Sequence, residues 1–135
     1  MIVCGNTSTG VYKDNKPTVR FDVSQLGDLQ KVNVDSSGLT VGSGVTLAKL
    51  IAALKQSASK SKSFDVLVAH LEKVANTPVR AVGSWAGNLM MAHDHDDFPS
   101  DVATIMAGAG AIVTIGAAGN VTKVRRLLEK MGPLR

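Results

Sequence analysis

The stretch NLMMAHDHDDFPSD, residues 88–101, concentrates side chains that are suited to bind a metal ion. Imidazole and carboxylate groups alternate in it, and both are ligands for Zn²⁺ or for harder ions. Firm metal sites usually draw their ligands from separated segments, however, and the third histidine, His70, falls on an apolar helical stripe. We therefore predict no specific metal site and interpret the centre of the stretch as a polar, partly exposed insert. This insert consists of His93, Asp94, His95, Asp96 and Asp97.

Two loops rich in glycine and small residues could hold an anionic ligand. The first is GNTSTG, residues 5–10, and the second is GSWAGN, residues 83–88. Small side chains let a ligand approach the backbone, and successive N–H groups in such turns can form an anion-binding nest. Neither loop has the GK[ST] of a Walker sequence or the GxGxxG of a Rossmann fingerprint. Both could equally be ordinary turns, with the second packed under Trp85, but together they favour one elongated ligand.

Short strands are predicted around the first loop. The apolar run MIVC, residues 1–4, ends at that loop, which is typical of a strand that enters a tight polar turn. Apolar and polar residues alternate over 19–23, 32–34 and 39–41, which predicts three more strands. We therefore expect the first half of the chain to be mainly sheet.

Helical periodicity begins after Val45. Thr46 is a plausible N-cap for a helix that continues to about Gln56, and a second helix begins near Ser63. Pro78 is expected to forbid a helix through NTPVRAVGSWAGN, residues 76–88, which we interpret as loop-like at both ends. The apolar stripe of the second helix contains Phe64, Leu67, Val68, Leu71, Val74 and Ala75.

The last third of the chain predicts one more helix and a hairpin. Ser100 and Asp101 after Pro99 indicate a helix start, with Val102, Ile105 and Met106 facing inward. AIVTI, residues 111–115, predicts a buried strand, and AAGN could turn into a partner strand. VRRLLEKMGPLR, residues 124–135, predicts one or two basic helical turns before Gly132 and Pro133.

Composition limits the class of function. The 135 residues are 44% apolar, enough for one domain with a core, and no apolar run or leader indicates a membrane or secretion, so we expect a soluble, cytoplasmic protein. The lone Cys4 can neither form an internal disulfide nor hold an iron–sulfur cluster, so any redox role requires an organic cofactor. The net charge of +4 comes from basic residues after residue 122, and only five aromatic residues are present, which disfavours nucleic-acid binding.

Three segments carry a specific resemblance. VCGNTSTG, FDVSQLGDLQKVNVDSSGLTVGSGVTLAKLIAAL and VRAVGSWAGNLMMAHDHDDFPSDVATIMAGAGAIVTI together resemble the FAD-binding domain of the molybdenum hydroxylases, xanthine dehydrogenase and aldehyde oxidase. The AGNLM with a histidine-rich insert before FPSD is more similar to invertebrate aldehyde oxidases than to vertebrate xanthine dehydrogenases. The resemblance implies an α+β fold, a partial FAD-binding domain of the vanillyl-alcohol oxidase type, over residues 1–116. Residues 117–135 would form a divergent basic tail.

The resemblance also implies FAD contacts. The first loop would surround the FAD pyrophosphate mainly through backbone amides, the second loop would face the phosphates, and Asp101 would lie near the ribityl and adenosine portion. Val74 falls where the family can have a flavin-contacting aromatic residue. The implied first-loop residues are Ile2, Val3, Cys4, Gly5, Asn6, Thr7, Ser8 and Thr9, and those of the second loop are Ser84, Trp85, Ala86, Gly87 and Asn88.

The expected function is that of an electron-transfer module with no catalytic acid or base of its own. In the family, electrons pass from iron–sulfur centres to FAD and then to NAD⁺ or O₂, and the protein positions and tunes the flavin. The [2Fe–2S] and molybdopterin domains would be partners outside this chain, with no role for nucleic acid or membrane. The alternative is a truncated, inactive flavin-domain paralogue that acts as an interaction protein.

Overall fold

A computed structural model describes residues 1–13, 17–117 and 120–124 of the chain. The described part contains α-helices, short 3₁₀ helices and paired short strands, so the expected α+β class is confirmed. Helices α1 to α5 span Leu47–Gln56, Lys62–Leu71, Thr77–Val82, Trp85–Asp94 and Asp101–Gly108. Strands β1 to β6 span Ile2–Val3, Phe21–Asp22, Val32–Asp35, Gly38–Val41, Val113–Ala117 and Asn120–Val124. The 3₁₀ helices span Thr7–Gly10, Gly27–Gln30 and Ala58–Lys60.

The strands form three separate pairs. β1 pairs in parallel with β2, whereas β3 with β4 and β5 with β6 are antiparallel. The prediction of a mainly β first half is wrong in extent, because β1 and β2 have only two residues each. Phe21 in β2 is 64% exposed, so no apolar layer among the described residues covers this pair.

The core is built mainly by helices. α1 packs against α2 and α3, while α5 packs against α2 and α4. The predicted start of α1 is confirmed, because the Thr46 side chain accepts a hydrogen bond from the Lys49 amide at 3.3 Å and caps the helix. Its buried apolar face consists of Leu47, Leu50, Ile51, Ala53 and Leu54.

α2 is shorter than its apolar stripe predicts. It begins at Lys62 with Ser61 as N-cap and ends at Leu71. Ala75 is exposed and has a left-handed backbone with φ 52°, so the predicted helix through Ala75 is wrong. Val74 still joins Val68 and Leu71 in the core, because the turn after α2 directs it inward.

Pro78 lies inside a helix, contrary to the prediction from sequence. It occupies the first turn of α3, where the proline has no intrahelical hydrogen bond to lose and its fixed φ suits the helix. The Asn76 side chain caps this helix by accepting a hydrogen bond from the Val79 amide at 3.0 Å. The proline therefore opens a helix here instead of excluding one.

The predicted third helix and the hairpin are present as α5 and as β5 with β6. Val102 is buried in α5, and Ile105 and Met106 pack against the core as expected. The prediction that 111–115 is buried is wrong, because Ile112 and Ile115 are more than half exposed at 59% and 53%. The β5–β6 pair extends past residue 116, where the sequence predicts the end of the FAD-binding part. Residues 125–135 of the predicted basic tail lie outside the described residues.

Among the described residues, no helix is long and apolar enough to cross a membrane.

Candidate functional site

The two loops that sequence analysis singled out are in contact. Gly5 has a left-handed backbone with φ 75°, and a Cβ there would overlap the carbonyl oxygen of Val82, at the end of α3. A Cβ on Gly83 would lie 3.3 Å from the Thr7 hydroxyl. Gly5 is therefore needed for the close approach of the first loop to the end of α3, irrespective of any ligand, whereas a side chain at Gly83 would make only a tight contact with Thr7.

The first loop presents a row of free backbone donors. Asn6 is left-handed with φ 51°, and the Thr7–Gly10 3₁₀ turn follows it, a change of hand that turns successive N–H groups toward one side. Within the part of the chain that the structure describes, the amides of residues 5–8 donate to no protein atom. The Asn6 Oδ1 is buried and also without a hydrogen-bond partner there. Such a row is able to bind an anion.

The second loop is the start of helix α4, so its prediction as a loop is wrong. Ser84 is only 4% exposed and caps the helix, because its Oγ accepts a hydrogen bond from the Gly87 amide at 3.0 Å. The Asn88 amide donates to Ser84 and the Trp85 amide to Val45. Of the amides from Trp85 to Asn88, only that of Ala86 has no acceptor among the described residues. This segment therefore offers fewer backbone donors than the first loop.

The starts of α1 and α4 lie side by side. Thr46 and Ser84, the two N-caps, form an antiparallel β-bridge. Within this bridge the Leu47 amide donates to the Gly83 carbonyl at 3.0 Å, and the Trp85 indole fixes the neighbouring turn by donating to the Gly42 carbonyl at 2.8 Å. The second loop is thus held rigidly by backbone contacts that the sequence pattern does not reveal.

Asn88 connects α4 to α5. Its Oδ1 accepts a hydrogen bond from the Ser100 hydroxyl at 2.6 Å, and the Ser100 Oγ in turn accepts from the Ala103 amide at 2.9 Å. Asp101, the first residue of α5, is exposed beside this pair. The structure therefore brings these two predicted contact residues to the same end of α5.

A cavity of about 220 Å³ lies beside the first loop, and sequence analysis missed several residues of its wall. Lys49 is the one side chain among the lining residues that is charged at neutral pH, and it makes no ion pair within the described part of the chain. A cation in the first turn of a helix is disfavoured by the helix dipole. The position of Lys49 in the first turn of α1 was therefore the sequence signal that could have marked it as a candidate site residue. The described lining residues are Cys4, Gly5, Ser24, Gln30, Gly44, Thr46, Lys49 and Val82.

The insert of histidines and aspartates contacts Tyr12, the second residue after the first loop. The His95 ring stacks on the Tyr12 ring, with centroids 3.5 Å apart and an interplanar angle of 5°. The Tyr12 hydroxyl donates to Asp97 at 3.1 Å, and His93 pairs with the adjacent Asp94. Loss of solvent contact and the Asp97 carboxylate raise the pKa of Tyr12. Over the described residues, no three His, Cys, Asp or Glu side chains are grouped to hold a metal ion.

The sequence of the chain also matches a known protein family. The model of the family described as the FAD binding domain in molybdopterin dehydrogenase matches residues 1–131. The chain belongs to this family. The expected resemblance is therefore confirmed, and FAD is the cofactor of the domain to which this chain corresponds.

Plant aldehyde oxidases are among the similar proteins. The chain is 39% identical over 136 residues to an indole-3-acetaldehyde oxidase of Arabidopsis thaliana, 38% over 125 residues to aldehyde oxidase 4 of the same plant, and 37% over 113 residues to its abscisic-aldehyde oxidase. These alignments cover 96%, 92% and 83% of the chain. They cover 10%, 9% and 8% of the relatives, so the chain spans about a tenth of their length. The narrower similarity to invertebrate enzymes stays a prediction.

The first loop of this FAD-binding domain fits the cofactor better than the second. The amides of residues 5–8 have no acceptor within the described part of the chain and are donors suited to an anionic group such as a diphosphate. Ile2 and Val3 lie in β1, and Cys4 connects this strand to the amides of residues 5–8. The Thr9 hydroxyl closes the turn by donating a hydrogen bond to the Asn6 carbonyl.

The surroundings of Val74 differ from those of the two loops. It is 5% exposed and is a member of the apolar core with Val68 and Leu71. Its side chain therefore presents little surface to a ligand, and its contact with the flavin stays a prediction.

Proposed function

We propose that this FAD-binding domain is the electron-transfer module of an oxidoreductase that resembles the molybdenum hydroxylases. Electrons would arrive from iron–sulfur centres on other domains and leave through FAD to NAD⁺ or O₂. The observation that carries the proposal is the row of amides at residues 5–8, which have no acceptor among the described residues, within a chain that belongs to the family. Bound FAD supplies the redox chemistry, and the protein supplies its position and electrostatic surroundings.

The residues that would hold FAD are those that sequence analysis assigned, with one addition. We propose that residues 2–9 surround the diphosphate and that residues 84–88 lie along the phosphate and ribityl portion. Asp101 would contact the ribityl or adenosine hydroxyls, because a carboxylate accepts hydrogen bonds from them. Lys49 is the addition, because it brings a positive charge to a cavity that Gly5 also lines.

Several wider properties belong to the same proposal. The architecture would be of the vanillyl-alcohol oxidase type, with the domain core in residues 1–116, and the location would be cytoplasmic. The remaining iron–sulfur and molybdopterin domains would be the partners. The names of the relatives, which include aldehyde oxidases for indole-3-acetaldehyde and abscisic aldehyde, favour an aldehyde over a purine as the substrate of the whole protein.

Titration of the purified chain with FAD, FMN and riboflavin tests the binding claim. If the loop amides bind the diphosphate, flavin fluorescence changes at lower concentrations of FAD than of FMN or riboflavin, because FMN has only one phosphate and riboflavin has none. Circular dichroism of the same sample establishes whether the chain is folded. A folded chain that binds no FAD would refute the proposal and would favour an interaction protein derived from a flavin domain.

A further inference from the structure

The Tyr12–His95 stack connects two segments that are far apart in sequence. The rings are nearly parallel, at 5°, and Asp97 holds the Tyr12 hydroxyl at 3.1 Å, so the tyrosine is fixed through both its face and its edge. His95 is the C-cap of α4 and Tyr12 follows the 3₁₀ turn of the first loop. We call the group of Tyr12, His95 and Asp97 the clasp.

The clasp secures the far end of the first loop. The near end is secured where Gly5 packs against Val82, just before α4 begins. The segment from Gly5 to Tyr12 is therefore attached at both ends of the α4 segment, which rises roughly 15 Å over its ten residues. The four amides at residues 5–8, which have no acceptor within the described part of the chain, begin at the near attachment and lie on the segment that ends at the clasp.

We propose that Tyr12 and His95 are positioning residues for FAD, because their stack holds the first loop in the conformation that presents its free amides. This inference rests on the proposed FAD-binding function and extends it to the insert of histidines and aspartates. None of the three clasp residues needs to touch the cofactor. Their effect is to raise the fraction of molecules whose loop is ready to bind, which lowers the apparent dissociation constant by the same factor.

Substitutions within the insert separate the clasp from a general effect on folding. His95→Ala removes the stack, and His95→Phe replaces one aromatic ring by another that can stack on Tyr12. His93→Ala is the matched control, because His93 lies in the same insert and, among the residues that the structure describes, pairs with Asp94 alone. Each variant of the full chain is compared for FAD affinity, by flavin fluorescence, and for hydrogen–deuterium exchange of residues 5–10.

The clasp predicts a defined pattern. His95→Ala should weaken FAD binding roughly three- to tenfold and speed amide exchange at residues 5–10, as expected for the loss of one aromatic pair. His95→Phe should restore both values, and His93→Ala should leave both unchanged. Equal affinity and equal exchange in His95→Ala and His93→Ala would overturn the clasp.

The exchange measurement also separates this inference from the proposed function. If the wild-type chain binds no FAD, the proposed function fails, and faster exchange in His95→Ala without FAD still shows that the clasp orders the loop. If the wild-type chain binds FAD and His95→Ala binds it equally well, the positioning role fails while the proposed function stands. Amide exchange in His95→Phe that is as fast as in His95→Ala would show that stacking is not the reason for the order of the loop.

Discussion

The Ser100 hydroxyl donates a 2.6 Å hydrogen bond to the Asn88 Oδ1, so the carbonyl side of this amide is already used within the protein. The NH₂ side of Asn88 makes no hydrogen bond with the described residues. Asn88 can therefore serve two purposes at once, joining α4 to α5 through its oxygen and offering its nitrogen to a ligand.

Asn88→Asp separates these two purposes. The carboxylate keeps the acceptor for Ser100 but replaces the NH₂ donor with negative charge, which repels a phosphate. We expect little loss of thermal stability and roughly tenfold or more weaker FAD binding, because a charge-assisted hydrogen bond is exchanged for repulsion. Ser100→Ala is the converse control and should lower the melting temperature through loss of the helix cap, with a smaller effect on affinity. Unchanged FAD affinity in Asn88→Asp would exclude the amide from the binding site.

Gly5→Ala tests the close approach of the two loops. The added methyl group would overlap the Val82 carbonyl and the residue would keep a positive φ, so we expect about 1 to 3 kcal/mol loss in the free energy of unfolding and weaker FAD binding. Gly10→Ala is the matched control, because it lies in the same loop and an added Cβ there meets no atom within 4 Å. Urea unfolding of both variants measures the difference. Equal stabilities would show that the loops separate readily.

Lys49 is expected to contribute charge to the binding of FAD. Lys49→Gln should weaken FAD binding roughly three- to tenfold at low salt, and the difference from wild type should shrink as salt screens the charge. Lys62→Gln serves as the control, because Lys62 is exposed at the start of α2 and does not line the cavity. Titrations at two salt concentrations measure the effect. A salt-independent loss would indicate that Lys49 acts through packing.

Tyr12 gives the clasp a direct optical signal, since it is the only tyrosine in the chain. Its pKa is raised above the ordinary value of 10.0, first by loss of solvent and then by the Asp97 carboxylate, so the folded state favours the protonated phenol. The resulting stabilisation is fully present below pH 10.0 and is lost as pH rises through the folded-state pKa.

The ultraviolet absorbance of tyrosinate during an alkaline titration measures this pKa. Asp97→Asn removes the negative charge and should lower the midpoint toward the ordinary value, while Asp96→Asn, in which the altered side chain has no contact with Tyr12, should not. A midpoint that is the same in wild type and in Asp97→Asn would contradict the hydrogen bond.

Local sequence signals predicted α1 and α5 well, because a capping side chain and an apolar stripe coincide in each. Thr46 and Ser100 both cap as expected. The same signals failed where two kinds of information compete. A proline can end a helix or stand in its first turn, and the Pro78 position alone does not distinguish the two. The Asn76 cap shows that Pro78 stands in the first turn of α3.

The contacts between segments could not be predicted from periodicity. Small residues around Ser84 are equally compatible with a loop and with a helix start that crosses another backbone, and the bridge from Ser84 to Thr46 determines the outcome. The family resemblance predicts that both loops contact FAD. It gives no indication of the Tyr12–His95 stack or of Lys49 in the cavity wall. These features depend on which distant residues meet, and the residue types alone do not encode that information.

The bridge between Thr46 and Ser84 has a consequence for folding. The Leu47 amide donates to the Gly83 carbonyl and the Trp85 amide donates to the Val45 carbonyl, so the start of α1 and the start of α4 are bonded to each other. We therefore expect both helix starts to open in one cooperative step. Amide protection at Leu47 and Trp85 should therefore rise and fall together.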